Sequence, residues 1–109
     1  MTKLSEKLVG KAVTLVCFGE YVGFIHIGDN DHCRIESGAM IVNKDGHRRT
    51  LFPERSQGVL ASILGANVRS LTIDKAFSVT LDNGVTITAP LNEGYESVML
   101  SVGGQSEVH

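Results

Sequence analysis

Histidine, cysteine and carboxylate side chains are the groups in this chain that could do chemistry, and their spacing decides which chemistry is open to them. His26, His32 and Cys33 lie close together. Zinc needs three or four such ligands converging on a tetrahedron. Neighbours on a strand project to opposite faces, so His32 and Cys33 cannot both turn towards one ion. We read them as a solvent-facing histidine and a core thiol, with no metal and no other cofactor bound. Cys17 lies in the apolar run Leu15-Val16-Cys17-Phe18, where burial disfavours the thiolate that a nucleophile requires. The acid pairs Asp29 with Asp31, and Glu93 with Glu96, suggest general acid–base work or calcium. The first requires a desolvated carboxyl of raised pKa and the second six to eight oxygens. These acids fall in turns or at loop ends, as do Glu20 and Asp74, so we expect them to face water. No glycine-rich turn joins a strand to a helix with a following Lys-Ser or Lys-Thr, the arrangement that cradles phosphate. No catalytic set emerges, and the chain is expected not to be an enzyme.

Binding is the remaining class of function. The basic cluster His47-Arg48-Arg49 is short and the chain carries a net charge of −2, the opposite of a nucleic-acid footprint. Four Phe, two Tyr and no Trp leave few stacking groups, so no nucleic-acid partner is expected. Asp29, Asp31, Glu36, Asp45, Asp82, Glu93 and Glu96 gather instead at turns and strand ends. We take them as the candidate partner-binding residues, because acids placed there steer a basic protein and repel wrong ones. The apolar runs are far shorter than the ~20 residues of a membrane-spanning helix, so no membrane partner is expected. Lys3, Glu6 and Lys7 interrupt the N-terminus where a signal peptide needs its apolar core. Two cysteines without a framework fit a reducing compartment, and we expect a cytoplasmic protein.

The elements that must position these residues follow from period-two patterning. A chain of 109 residues is expected to form one domain over 1–109. Val13 to Phe18, Val22 to Ile27 and His32 to Ser37 read as strands, the last two joined by the turn former Gly28-Asp29-Asn30-Asp31. Gly38 is expected to bend that third strand before Ala39 to Val42. Asn43 to Gly46 then turns the chain into Arg48 to Phe52. Glu54 to Leu64 has helical spacing, with Gly65 as its stop. Val68 to Ile73, Phe77 to Leu81 and Val85 to Ala89 are strands, with Asp82-Asn83-Gly84 as a hairpin turn. Tyr95 to Val102 closes the fold, and Gly103 to His109 reads as a fraying polar tail. An internal repeat shows through: Gly10-Lys11-Ala12-Val13 opens one three-stranded meander and Gly65-Ala66-Asn67-Val68 opens another. The hairpin 40–52 and the helix read as inserts between them. The expected fold is mainly β (α+β). It is a strongly twisted antiparallel sheet or half-barrel built from two β-meanders, with one short helix near 54–64.

Several landmarks fall along this order: Arg34-Ile35-Glu36-Ser37, the Asp45-Gly46 turn, and Leu51-Phe52-Pro53-Glu54 before a helix. Gly65-x-x-Val68, Val79-x-Leu81-Asp82-x-Gly84 and Tyr95-Glu96-Ser97 complete the set. Together they resemble a family of small uncharacterised bacterial β-proteins with two meanders and a late Tyr-Glu-x-Trp motif. The resemblance covers nearly the whole chain and consists of strand and turn landmarks. Val98 stands where that family has Trp, which removes any aromatic platform there. The family's likeness to immunity proteins of bacterial toxin systems implies a protein-binding role. From it we expect an immunity protein that occludes the active site of a cognate toxin, a basic toxin domain being the fitting partner for acidic turns. The alternatives are a small-molecule-binding β domain or a self-associating structural subunit. The latter would be a homodimer paired through exposed strand edges.

Overall fold

Apolar residues recur at every second position through most of the strands, and those are the positions the fold buries. The computed structural model describes residues 3–18, 22–36, 38–52, 63–91 and 97–109. It begins with a short helix, α1 (Lys3–Leu8). The strands that follow are β1 (Val13–Phe18), β2 (Gly23–Ile27), β3 (Asp31–Ile35), β4 (Ala39–Val42) and β5 (Arg48–Phe52). Next come β6 (Val68–Ile73), β7 (Ala76–Leu81), β8 (Thr86–Pro90), β9 (Val98–Val102) and β10 (Gln105–Val108). The fold is mainly β and antiparallel throughout, as expected. The strands form two five-stranded sheets, ordered β1-β2-β3-β9-β10 and β5-β4-β8-β7-β6, and neither closes into a barrel.

One core fills the space between the inner faces. Ile25, Ile27, Cys33 and Leu100 enter it from the first sheet and Phe77, Val79, Leu81 and Ile87 from the second, all fully or almost fully buried. Each such aliphatic or aromatic side chain stabilises the fold by about 1.5–3 kcal/mol relative to exposure. Helix α1 adds Leu4 and Leu8, one helical turn apart on the same face, and lies against β6 and β9, so it touches both sheets.

The internal repeat is physical. Gly10–Val13 and Gly65–Val68 meet antiparallel about the bridge Ala12–Asn67. Gly10 N–H donates to Val68 O at 2.7 Å and Gly65 N–H donates to Val13 O at 2.8 Å. Val13 N–H donates to Ala66 O at 2.9 Å and Val68 N–H to Lys11 O at 2.8 Å. Each bond therefore has a counterpart when the two segments are exchanged, which defines a pseudo-twofold axis through the bridge. Both glycines stand at positive φ, +90° and +85°, where a side chain would be strained. Leu8 and Ile63 are fully buried just before them. The first strand of each meander also slips register at its second residue, between Val13 and Leu15 and between Val68 and Ser70.

The hairpins obey the same symmetry. Hairpin β4–β5 follows the first meander in sequence but pairs with the second, through β4 on β8. Hairpin β9–β10 follows the second meander but pairs with the first, through β9 on β3. Segment 40–52 is thus the counterpart of 99–108, and each half exchanges its hairpin with the other. The crossing falls at Gly38, at φ +80°, so the expected bend in one strand is a passage between sheets. The fraying tail expected at 103–109 is also corrected. Gly103 and Gly104 both adopt positive φ, +59° and +81°, the conformation of a two-residue hairpin turn, and β10 folds back on β9. Residues 54–62 of the helix expected at 54–64 lie outside the described residues, and Ile63–Gly65 form a turn. The short helix that is described, α1, was not expected.

Candidate functional site

Of the seven acids singled out, the fold brings four to one end of the molecule. Turn 28–31 reaches the central bridge through Gly28 N–H donating to Ala12 O at 2.8 Å, and turn 82–84 reaches it through Asp82 N–H donating to Asn67 O at 2.9 Å. The two exchanged hairpins place their own turns beside these. Gly103 N–H donates to Asp31 Oδ1 at 3.0 Å, and the Lys44 stem lies over Gly84. Asp29, Asp31, Asp45 and Asp82 therefore share one end. Glu36 follows the far end of β3, roughly 17 Å from Asp31 at the ~3.4 Å rise of a strand. Glu93 and Glu96 lie outside the described residues, as do Glu20 and Tyr95.

Asp29, Asp45 and Asp82 are exposed. Asp82 is also a brace: its two oxygens accept from the Asn67 backbone and side-chain N–H groups, both at 3.2 Å. Asp31 departs from the expectation that every turn acid faces water, for it is only 5% exposed. Its Oδ2 pairs with Lys11 Nζ at 2.5 Å while Oδ1 takes the Gly103 N–H. The Lys11 hydrogen bond holds this carboxyl below the ordinary carboxylate value, opposed by burial and helped by Gly103. Its inward direction follows from β3, where Asp31, Cys33 and Ile35 share the buried face. Asp31 thus ties three segments together and is too enclosed to meet a partner. Around it Lys11, Gly28, Asp29, Asn30 and Gly103 border a solvent-open cleft of about 420 Å³. Asn43, Lys44, Asp45 and Val85 border the symmetry-related one, about 620 Å³.

A second surface was missed in the sequence. Register places Leu15, His26, His32 and Ser101 in one row across the first sheet, and Cys17, Phe24, Arg34 and Met99 in the next. Directly paired residues project from the same side of a sheet, and these alternate with the buried set, so both rows lie on the outer face. Leu15 is 51% exposed, and Val108, which extends the second row on β10, is 45% exposed. The rings form a cluster: Phe24 lies 6.4 Å from His26 and 5.9 Å from His32, and the two imidazoles are 5.5 Å apart between centroids. Burial, then the nearby His26 and Arg34, holds the His32 pKa below its ordinary value against the pull of Asp31. The signal for this pairing was present. Ile27 and Asp31 face each other across the turn, and that register sets His26 opposite His32. As expected, His32 and Cys33 project to opposite faces; burial pushes the Cys33 thiol up to about 12.

The corresponding face of the second sheet also carries an exposed methionine, Met40 in the place of Met99, and Arg48 on its edge strand, but its middle strands differ. Thr80 and Thr86 occupy the places of His26 and His32, and Ser78 and Thr88 those of Phe24 and Arg34. Their hydroxyls bond across the strands, Ser78 Oγ to Thr88 Oγ1 at 3.3 Å and Thr80 with Thr86 at 3.3 Å. Among the described residues no group of three or more His, Cys, Asp or Glu gathers as a metal-binding cluster, and no helix is long and apolar enough to cross a membrane. No protein-family model, curated protein or solved structure matches this chain.

Proposed function

We propose that this protein is a protein-binding module that receives its partner on the outer face of the first sheet. The observation that carries this reading is the contrast between two faces related by the pseudo-twofold. One centres on hydroxyls bonded to each other, with Met40 exposed beside them. The other presents Leu15, Phe24, Met99 and Val108 around two imidazoles and a guanidinium. Both satisfy the same backbone, so the apolar and cationic character of the first is not demanded by folding. Half-buried Phe24 and Met99 flanking an arginine, with Leu15 and Val108 exposed at the sheet's two edges, have the composition of an interface centre. The partner is a folded protein that offers an apolar patch and sets a carboxylate against Arg34, within a contact of ~800 Å² per side.

The exposed acids at the bridge end, Asp29 and Asp45 foremost, act as a steering rim and not as the contact centre. In the form suggested by the family landmarks, the partner is a bacterial toxin whose active site the module covers. Co-expression with the product of the adjacent gene tests both levels. Leu15→Asp with Arg34→Glu is expected to abolish the complex and any protection from toxicity. Asp29→Asn with Asp45→Asn is expected only to slow association and flatten its salt dependence. Loss of the complex in the acid variant and survival in the face variant would transfer the contact to the acidic end.

A further inference from the structure

We infer that His26 and His32 form a two-histidine site for a borderline divalent transition ion of the zinc type, completed by water. The two imidazoles stand directly opposite each other on adjacent antiparallel strands, with ring centroids 5.5 Å apart and planes at 41°. A zinc–nitrogen bond of about 2.0–2.1 Å puts each ring centre roughly 3.2 Å from the ion, and a tetrahedral angle then sets the two centres roughly 5.2 Å apart. The observed separation is within a few tenths of an ångström of that, so rotation of the rings suffices to aim one nitrogen of each at a shared point. Phe24 packs against both rings and restricts their other rotamers, which lowers the ordering cost of binding.

One further observation favours a ligand over simple ring packing. The counterpart pair, Thr80 with Thr86, satisfies itself by a hydrogen bond, so the fold has no need of imidazoles at this register. Arg34 shares the face and opposes a dication. With two protein ligands, the site is an exchangeable one and not a structural zinc that the fold depends on.

The test is calorimetric titration of the full chain with Zn²⁺ at pH 7.5, with histidine ring resonances followed by NMR. The wild-type chain is expected to take up one equivalent, shifting the His26 and His32 rings together. His26→Thr and His32→Thr, which install the residues of the second sheet, are each expected to weaken binding at least about tenfold, the lower end of what loss of even an outer-shell partner costs. The double variant is expected to lose the site while unfolding at the same temperature. His109→Ala removes the histidine that pairs with Glu107 and is expected to change nothing. No uptake by the wild-type chain, undiminished uptake by the double variant, or loss on His109→Ala instead would each overturn the assignment.

Discussion

The two halves of this molecule solve one structural problem with opposite chemistry. In the first half Lys11 and Asp31 form an ion pair beneath the turn of β2 and β3. In the second half the equivalent places hold Ala66, which lies between Gly65 and Asn67, and Val85, which faces Leu81 as Asp31 faces Ile27. Val85 is buried and Ala66 packs against the core. One backbone thus accepts a charged pair or an apolar one, in keeping with the finding that a buried ion pair often adds no more stability than well-packed apolar groups. What the charged version adds is a link: Asp31 reaches the exchanged hairpin through Gly103. Charged side chains and imidazoles take these places in the first half and on the outer face of its sheet, while the second half uses apolar groups beneath its turn and hydroxyls on its face.

The comparison breaks most visibly if the halves are unequal in their cores. Leu8 and Ile63 precede the paired glycines and are both fully buried. Truncation of either to Ala is expected to cost about 2–5 kcal/mol, read from the midpoint of urea unfolding. A large loss at Leu8 with almost none at Ile63 would show that the two glycine segments are anchored differently, and the equivalence would fail.

The ion pair itself comes next in size. Lys11 is half-exposed while the Asp31 carboxylate is enclosed, so removing the lysine strands the costlier charge. Lys11→Ala is expected to destabilise by up to about 3 kcal/mol and Asp31→Asn by about 1–2 kcal/mol. Lys11→Ala with Asp31→Val transplants the second half's pair and is expected to recover most of the Lys11→Ala loss. The pH dependence has a definite sign. The folded-state pKa of Asp31 is depressed, so its contribution is present above the unfolded value of about 3.9 and is lost as pH falls through the folded value. Acid unfolding of Lys11→Ala is therefore expected at higher pH than that of the wild-type chain.

These contrasts also show how far the sequence could be read. The two meanders were legible because Val, Ile and Thr alternate cleanly between Gly-Asp-Asn and Asp-Asn-Gly turns. The repeat was legible because the paired GxxV segments carry two glycines that only a positive φ requires. Hairpin exchange was not, since patterning shows which residues are inward but not which sheet they face. Gly103-Gly104 carried a hairpin signal that the polar residues after it obscured. Asp31 resembled its neighbour Asp29 in the same turn, and only the burial parity of β3 separates a linking acid from a solvated one. The His26–His32 pairing was hidden for a related reason. Each histidine was weighed against its sequence neighbour, whereas register gives it a partner across the strand.

Cys33 offers a smaller test of the same asymmetry, because its counterpart in the second sheet is Ile87. With its folded pKa pushed up to about 12, the thiol keeps its proton in the folded state while an unfolded one loses it near pH 8.5. The unfolded chain then binds fewer protons, so stability falls as pH rises above that value, by about 1.4 kcal/mol per unit for one group. Cys33→Val is expected to flatten this alkaline decline. In the wild-type chain at pH 8, Cys17 is expected to react with a maleimide and Cys33 only on unfolding.

The smallest effect is expected where the two outer faces are exchanged. His26→Thr with His32→Thr gives the first sheet the threonine pair of the second, and near pH 8 the change in stability should stay within about 0.5 kcal/mol, as for other surface positions. The difference should open on acidification. His32 has a folded pKa below the unfolded value of about 6.5, so the unfolded chain takes up the proton first. Its contribution is whole above that pH and shrinks as pH falls towards the folded value. Burial, then His26 and Arg34, disfavours the charged ring and Asp31 favours it. The double threonine variant should therefore lose less stability than the wild-type chain between pH 7 and 5, measured by urea unfolding at fixed ionic strength. Parallel curves for the two proteins would mean that the imidazole pair is no more sensitive to charge than the hydroxyl pair opposite, and the distinction between the faces would rest on their apolar residues alone.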